Sequence, residues 1–89
     1  MDREGFRQSL HERQVPVEQL DAQVALAERF EAFAASPPTA GDVRAFSAIL
    51  VEEGLSSWEN LVTLVRYGRF TGNNPVVIAA IELVDGSEV

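Results

Sequence analysis

The stretch VEQLDAQVALAERFEAFAA, residues 17–35, decides the fold class of this protein. Its apolar residues recur every three or four positions, which is the period of one face of an α-helix and not that of a β-strand. They are Val17, Leu20, Val24, Ala27, Phe30 and Ala34, with Leu26 and Phe33 broadening the stripe. The pattern predicts a long amphipathic helix over residues 16–35 that turns one face toward a core.

Prolines mark both ends of this helix. Pro16 has no backbone N–H, which suits the first turn of a helix and no later one. Ser36-Pro37-Pro38 ends the helix, because a residue before proline avoids the helical region of backbone space. Upstream, Phe6 and Leu10 stand one helical turn apart among charged neighbours, and they predict a short first helix.

Paired capping residues mark the next two helix starts. The Thr39 hydroxyl can accept a backbone N–H, and the Asp42 carboxylate suits the positive end of the helix dipole. Ser56 with Glu59 offers a second capping box. Between them, Gly54 stands where a left-handed C-terminal cap is needed. These signals predict a third and a fourth helix.

Gly68 and the last apolar segment each allow two interpretations. Gly68 falls inside the fourth helix, where glycine costs about 1 kcal/mol relative to alanine, so either another helix crosses closely there or the cost is tolerated. Residues 76–84 are rich in β-branched side chains that a strand would also accept. A helix is preferred, because Asn74-Pro75 is a good helix start and a lone strand would have no partner.

Together these segments predict an all-α fold, a compact domain of four or five helices in an orthogonal or bundle-like arrangement. A chain of 89 residues supports one hydrophobic core, so residues 1–89 are expected to form a single domain. The predicted helices cover residues 3–14, 16–35, 40–53, 57–70 and 75–84.

Charge is the most informative feature of the composition. Fourteen acidic residues against seven basic ones, all arginines, give a formal net charge of −7, which disfavours nucleic acid as a partner. The absence of cysteine excludes disulfides and cysteine-ligated metals. No apolar run is typical of a signal peptide or a membrane span, so a soluble, cytoplasmic protein without a membrane partner is expected.

No residue pattern is typical of catalysis, and we predict no enzyme activity, no cofactor and no metal site. The single histidine, His11, lies among charged residues on the outer face of the first helix. Acidic pairs such as Glu28 with Glu31 lack the alternating oxygen ligands of a calcium loop. The serines have neither a glycine-flanked elbow nor an available base.

Candidate interface residues come from the second and fourth helices. The apolar stripe of the second helix is wider than one small core requires. Trp58 and Tyr67 carry polar groups on apolar rings, which suits a core or an interface, the core being favoured. The candidate interface residues are Leu26, Phe30, Phe33, Trp58 and Tyr67.

Three segments together resemble the helical N-terminal core-binding domain of tyrosine recombinases and phage integrases. They are Asp42-Val43-Arg44-Ala45-Phe46, Glu53-Gly54-Leu55-Ser56, and Leu61 through Phe70. The resemblance covers about residues 17–70 and consists of a helix, a glycine cap, a serine cap and another helix. Because core-binding domains clamp DNA opposite a separate catalytic domain, it implies DNA contacts by Arg44, Arg66 and Arg69. The chain departs from that family in being strongly acidic, in lacking lysine and in containing no catalytic domain.

Two functional hypotheses follow. The first is a non-enzymatic protein-interaction or dimerisation module, compatible with the N-terminal domain of a longer protein, whose partner is another copy or an unknown protein. The alternative is a nucleic-acid-binding accessory domain of the core-binding type, with Arg66 and Arg69 on one turn of the fourth helix as the contact.

Overall fold

Residues 1–86, which are the residues that the structure describes, form five helices in the computed structural model. The helices are α1 (Arg3–Glu12), α2 (Val17–Phe33), α3 (Ala40–Glu52), α4 (Trp58–Thr71) and α5 (Asn74–Gly86). This part of the chain contains no strand, so the all-α prediction is confirmed, including a helix for the β-branched last segment. The end of the predicted 1–89 domain, residues 87–89, lies outside the described residues.

Three of the helices end in the same left-handed closure. Gly54 follows α3 with φ of 72°, and its N–H and that of Leu55 donate to carbonyls of the last helical turn at 3.1 and 2.8 Å. This pair of bonds is the Schellman motif, and the predicted cap at Gly54 is confirmed. Gly72 closes α4 in the same way with φ of 70°, and Gln14 closes α1 with φ of 65°.

Both α1 and α2 are shorter than their sequence patterns indicate. The pattern extends α1 to residue 14, but the left-handed Gln14 has already left the helix, which ends at Glu12. The pattern extends α2 to residue 35, but Ala34 is extended with ψ of 164°. The N–H of Ala35 then donates to the carboxylate of Asp42 at 3.1 Å, which ties this extended segment to the start of α3.

The N-terminal caps confirm one predicted capping box and correct two other starts. Thr39 and Asp42 form the reciprocal box of α3. The N-cap of α4 is Ser57, which accepts the N–H of Asn60, and not Ser56 paired with Glu59. The N-cap of α5 is Asn73, whose side chain accepts an N–H in the first turn at 3.2 Å, so α5 begins one residue earlier than predicted. In each corrected case two adjacent residues have the chemistry of a cap, so the sequence defines the helix start only to within one residue.

Four aromatic rings from four helices form the centre of the core. Tyr67 of α4 is only 2% exposed and meets Phe6 of α1 and Phe30 of α2 nearly edge-on, at centroid distances of 6.3 and 5.6 Å. Phe30 packs in turn against Phe46 of α3 at 5.3 Å. Edge-to-face pairs of this kind add to the stabilisation from apolar burial.

A close crossing at Gly68 attaches α5 to this core. A Cβ at Gly68 would lie 2.8 Å from the Val77 side chain, 3.0 Å from the Val76 side chain and 3.0 Å from the Val77 backbone nitrogen. Only glycine leaves room for the α5 backbone at this distance. Of the two interpretations left open by the sequence, the close helix crossing is therefore confirmed.

Gly68→Ala is expected to lower the free energy of unfolding by about 1–3 kcal/mol, because overpacking against a backbone atom outweighs the better helix propensity of alanine. The matched control is Gly41→Ala in α3, where the added Cβ meets only the Thr39 hydroxyl at 3.7 Å. That variant is expected to be neutral or more stable by up to about 1 kcal/mol. Urea unfolding of both variants measures the contrast, and equal effects would contradict the close crossing.

Candidate functional site

Three of the five candidate interface residues lie in the core. Phe30 and Tyr67 are 0% and 2% exposed, and Leu26 is 8% exposed. All three are therefore unavailable as an interface on this fold, and that part of the prediction is wrong. The physical reason is that the core around Tyr67, to which four helices contribute, takes up Leu26 and Phe30 of the α2 stripe.

The other two candidates are at the surface. Phe33, at the last turn of α2, is 44% exposed and leans on the Phe46 ring at 5.6 Å. Trp58 is 50% exposed, so the core position favoured for it is wrong. It is the first residue of α4, and the buried residues of α4 begin only at Leu61. Val17, the first residue of α2, is 68% exposed for the same reason.

The three arginines of the DNA-binding interpretation lie on two helices. Arg44 is exposed on α3, which packs against α2 and α5, while Arg69 is exposed near the end of α4. Arg66 is turned toward α2, where its guanidinium donates to the Gln23 side-chain oxygen at 3.0 Å. Desolvation, followed by the neighbouring charge of Arg13, lowers the pKa of Arg66.

Tyr67 and Glu31 form the most strongly perturbed titratable pair. The Tyr67 hydroxyl donates to one Glu31 carboxylate oxygen at 2.7 Å, and the Met1 ammonium group donates to the other at 2.8 Å. Burial, with the hydrogen bond to Glu31, raises the pKa of Tyr67 far above its ordinary value. The bond from the ammonium group, together with that from Tyr67, lowers the pKa of Glu31. The phenol thus stays protonated and acts as a structural donor.

A groove between the C-terminal halves of α3 and α5 carries exposed apolar side chains. It encloses about 280 Å³, and we name it the α3–α5 groove. Its lining residues are Ser47, Val51, Ser56, Leu61, Glu82, Leu83 and Gly86. Val51 is 64% exposed, and Leu55, which follows the end of α3 outside the lining, is 43% exposed. Val51 lies off the buried stripe of α3, so the core does not account for it.

Acidic side chains lie in and beside the groove. Glu82 belongs to the lining, and Glu52 and Asp85 are exposed on the last turns of the two flanking helices. Neither helix has a basic residue in its last turn to offset the negative end of its dipole. The acidic Glu53 already pairs with Arg29 at 2.6 Å. The groove therefore combines apolar contact area with a negative potential.

Other features of residues 1–86 offer less chemistry. An open depression of about 560 Å³ lies between residues 37–40 and 71–75 and has no titratable side chain in its lining. Within the same residues, no group of histidine, aspartate and glutamate side chains is arranged to hold a metal ion. None of the five helices combines the length and the apolar character needed to cross a bilayer. His11 is exposed, as expected.

Comparisons with known protein families, with curated proteins and with solved structures found no match to this chain. The resemblance to recombinase core-binding domains stays a prediction. Inference about function therefore starts from the surfaces of this fold.

Glu31→Gln is expected to lower stability at neutral pH, and the difference from the wild type is expected to shrink as the pH falls below about 4.5. The sign follows from the lowered pKa of Glu31: its ionised form stabilises the fold above the ordinary pKa of 4.5, and this stabilisation disappears as the carboxylate is protonated. Thermal unfolding over a pH series measures the effect.

Glu28→Gln is the control for this series, because Glu28 pairs with Arg3 on the exposed surface and such pairs contribute little to stability. A Glu31 variant whose deficit is the same at every pH would show that its carboxylate charge does not stabilise the fold.

Proposed function

We propose that this protein is a non-enzymatic interaction module that binds a basic, amphipathic segment of a partner protein in the α3–α5 groove. The observation that carries the proposal is the coincidence of exposed apolar side chains and unbalanced acidic charge in one groove. The apolar side chains and the acidic charge each select a different property of the partner.

Apolar contacts supply the anchoring energy. Val51, in the groove lining, is 64% exposed, whereas Leu61, also in the lining, is only 5% exposed; Leu55, just beyond the end of α3, is 43% exposed. Fully burying a side chain of this size contributes about 1.5–3 kcal/mol. A few such anchors, placed together and shielded from water, dominate the affinity of a typical protein interface. A partner segment with apolar side chains on one helical face would supply such contacts.

Charge selects a basic partner over a second copy. The sequence has no basic residue in 45–65 and none in 70–86, so both walls of the groove can only be neutral or acidic. A second copy would bring the same acidic surface and another net charge of −7, and like charges across an interface oppose association. Lysines or arginines flanking the apolar residues of a partner would instead be attracted. The homo-oligomer of the sequence hypothesis is therefore the less favoured occupant.

Nucleic acid is not proposed as the partner. Arg44 lies on α3, whereas Arg66 and Arg69 lie on α4, and the chain has twice as many acidic as basic residues. Few phosphates can be neutralised by such an arrangement on a chain with this net charge.

The test uses a synthetic amphipathic helical peptide with leucines on one face and lysines on the other, titrated into ¹⁵N-labelled protein. We expect chemical-shift changes confined to residues 47–61 and 78–86, and binding that weakens as salt is added. Val51→Ser is expected to weaken binding about tenfold, because it removes one anchor worth about 1.4 kcal/mol or more. A peptide with glutamates in place of the lysines is expected not to bind.

Val17→Ser is the matched control, since Val17 is an equally exposed valine on a helix that does not line the groove. Equal weakening by the two substitutions would show that the groove is not the binding surface. Light scattering of the protein alone completes the design: a dimer that Val51→Ser dissociates would identify a second copy as the occupant and overturn the basic-partner assignment.

A further inference from the structure

A second cavity, separate from the α3–α5 groove, brings two arginines together. It lies between the end of α1, the first turns of α2 and one side of α4, and it encloses about 250 Å³. Its polar lining comprises Arg13, Gln14, Gln19, Gln23, Trp58, Glu59 and Arg66. We name it the Arg13–Arg66 pocket. It shares no lining residue with the α3–α5 groove.

The two arginines of this pocket have no carboxylate partner among the described residues. Three other arginines each form an ion pair with a carboxylate: Arg3 with Glu28, Arg7 with Asp21 and Arg29 with Glu53. Glu59 lines the same pocket but forms no ion pair with either guanidinium. Two like charges thus line one pocket without a carboxylate partner among residues 1–86, on a chain that has twice as many acidic as basic residues.

The position of Arg66 is fixed by a buried amide. Gln23 is only 4% exposed; its oxygen accepts from Arg66 at 3.0 Å, and its nitrogen donates to the Gln19 oxygen at 3.4 Å. A guanidinium group has five N–H donors, and this bond uses one of them. An arginine held in this way loses less side-chain entropy when it binds a ligand, which is a feature of preorganised sites.

We propose that the Arg13–Arg66 pocket binds a small, doubly charged oxyanion of the phosphate monoester class. Two guanidinium forks match the tetrahedral oxygens of such a group, and two positive charges balance its charge near neutral pH. The volume admits the phosphate with a small substituent. The half-exposed ring of Trp58 offers a flat apolar surface for that substituent.

Trp58 is also the reporter for the test, because it is the only tryptophan of the chain and it lines the pocket. Inorganic phosphate and phenyl phosphate are titrated into the full chain at about pH 7.5, where both are largely doubly charged. Sodium chloride keeps the ionic strength constant. We expect a saturable change in tryptophan emission, with phenyl phosphate binding more tightly than phosphate.

Three variants locate the site. Arg13→Gln, at an exposed position where folding is not at risk, is expected to weaken binding about tenfold. Arg69→Gln removes the same charge from α4 outside the pocket and is expected to change the dissociation constant less than twofold. Glu59→Gln is expected to tighten binding several-fold, because it removes the one acid in the lining.

Several results would overturn the proposal. One is a linear, non-saturating change in tryptophan emission that chloride reproduces, and another is equal weakening of binding by Arg13→Gln and Arg69→Gln. A third is tighter binding of malonate than of phosphate, which would replace the phosphate class by dicarboxylates. Val51→Ser is expected to leave this titration unchanged, so failure of the groove proposal and failure of the pocket proposal are distinguishable. Circular dichroism of each variant confirms that lost binding is not lost folding.

Discussion

Burial of Tyr67 constrains the arrangement of the whole fold. Its ring fills the centre of the core, yet its hydroxyl needs a hydrogen-bond acceptor, since a buried donor without one costs about 1–3 kcal/mol. Glu31 of α2 meets this requirement at 2.7 Å, and by doing so it sets the rotation of α4 about its own axis. With about 100° between successive helical residues, the same rotation directs Arg66 to Gln23 of α2 and Gly68 to α5. Three consecutive residues thus meet three different surroundings.

The distribution of arginines explains why one side of the molecule is left acidic. Three arginine–carboxylate pairs join α2 to its neighbours, two of them to α1 and one to the end of α3. These pairs involve three of the seven arginines. The C-terminal halves of α3 and α5 have none. Exposed ion pairs contribute little to stability, so the consequence of this distribution lies in the surface potential. The lining of the α3–α5 groove accordingly contains Glu82 and no basic residue.

The local part of this structure was predictable, and the non-local part was not. Helix number follows from the apolar period, and the Gly54 cap and the Thr39–Asp42 box follow from local hydrogen-bond chemistry. Which side of an apolar stripe meets the core depends on the neighbouring helices, so Phe30 and Phe33 looked alike in the sequence although only Phe30 is buried.

The two proposed sites differ in how far the sequence could have indicated them. For the groove, a usable signal existed: Val51 lies off the α3 stripe, in a stretch without basic residues. The Arg13–Arg66 pocket has no such signal, because its arginines are far apart in the chain and meet only through the packing of α1 against α4.

The first turn of α4 belongs to both surfaces, since Trp58 lines the pocket and Leu61 lines the groove. Binding at one surface changes affinity at the other only if this turn has two arrangements that the ligands distinguish. The contacts of this turn favour a single arrangement. Ser57 caps it, and the Asn60 side chain donates to the Leu55 carbonyl at 2.7 Å, bracing the loop that leads into the helix. The Leu61 side chain is buried. Because this turn is stabilised at its cap, in the preceding loop and on its buried face, binding at one surface is expected not to change its arrangement. The two surfaces are therefore expected to bind independently, although both involve α4.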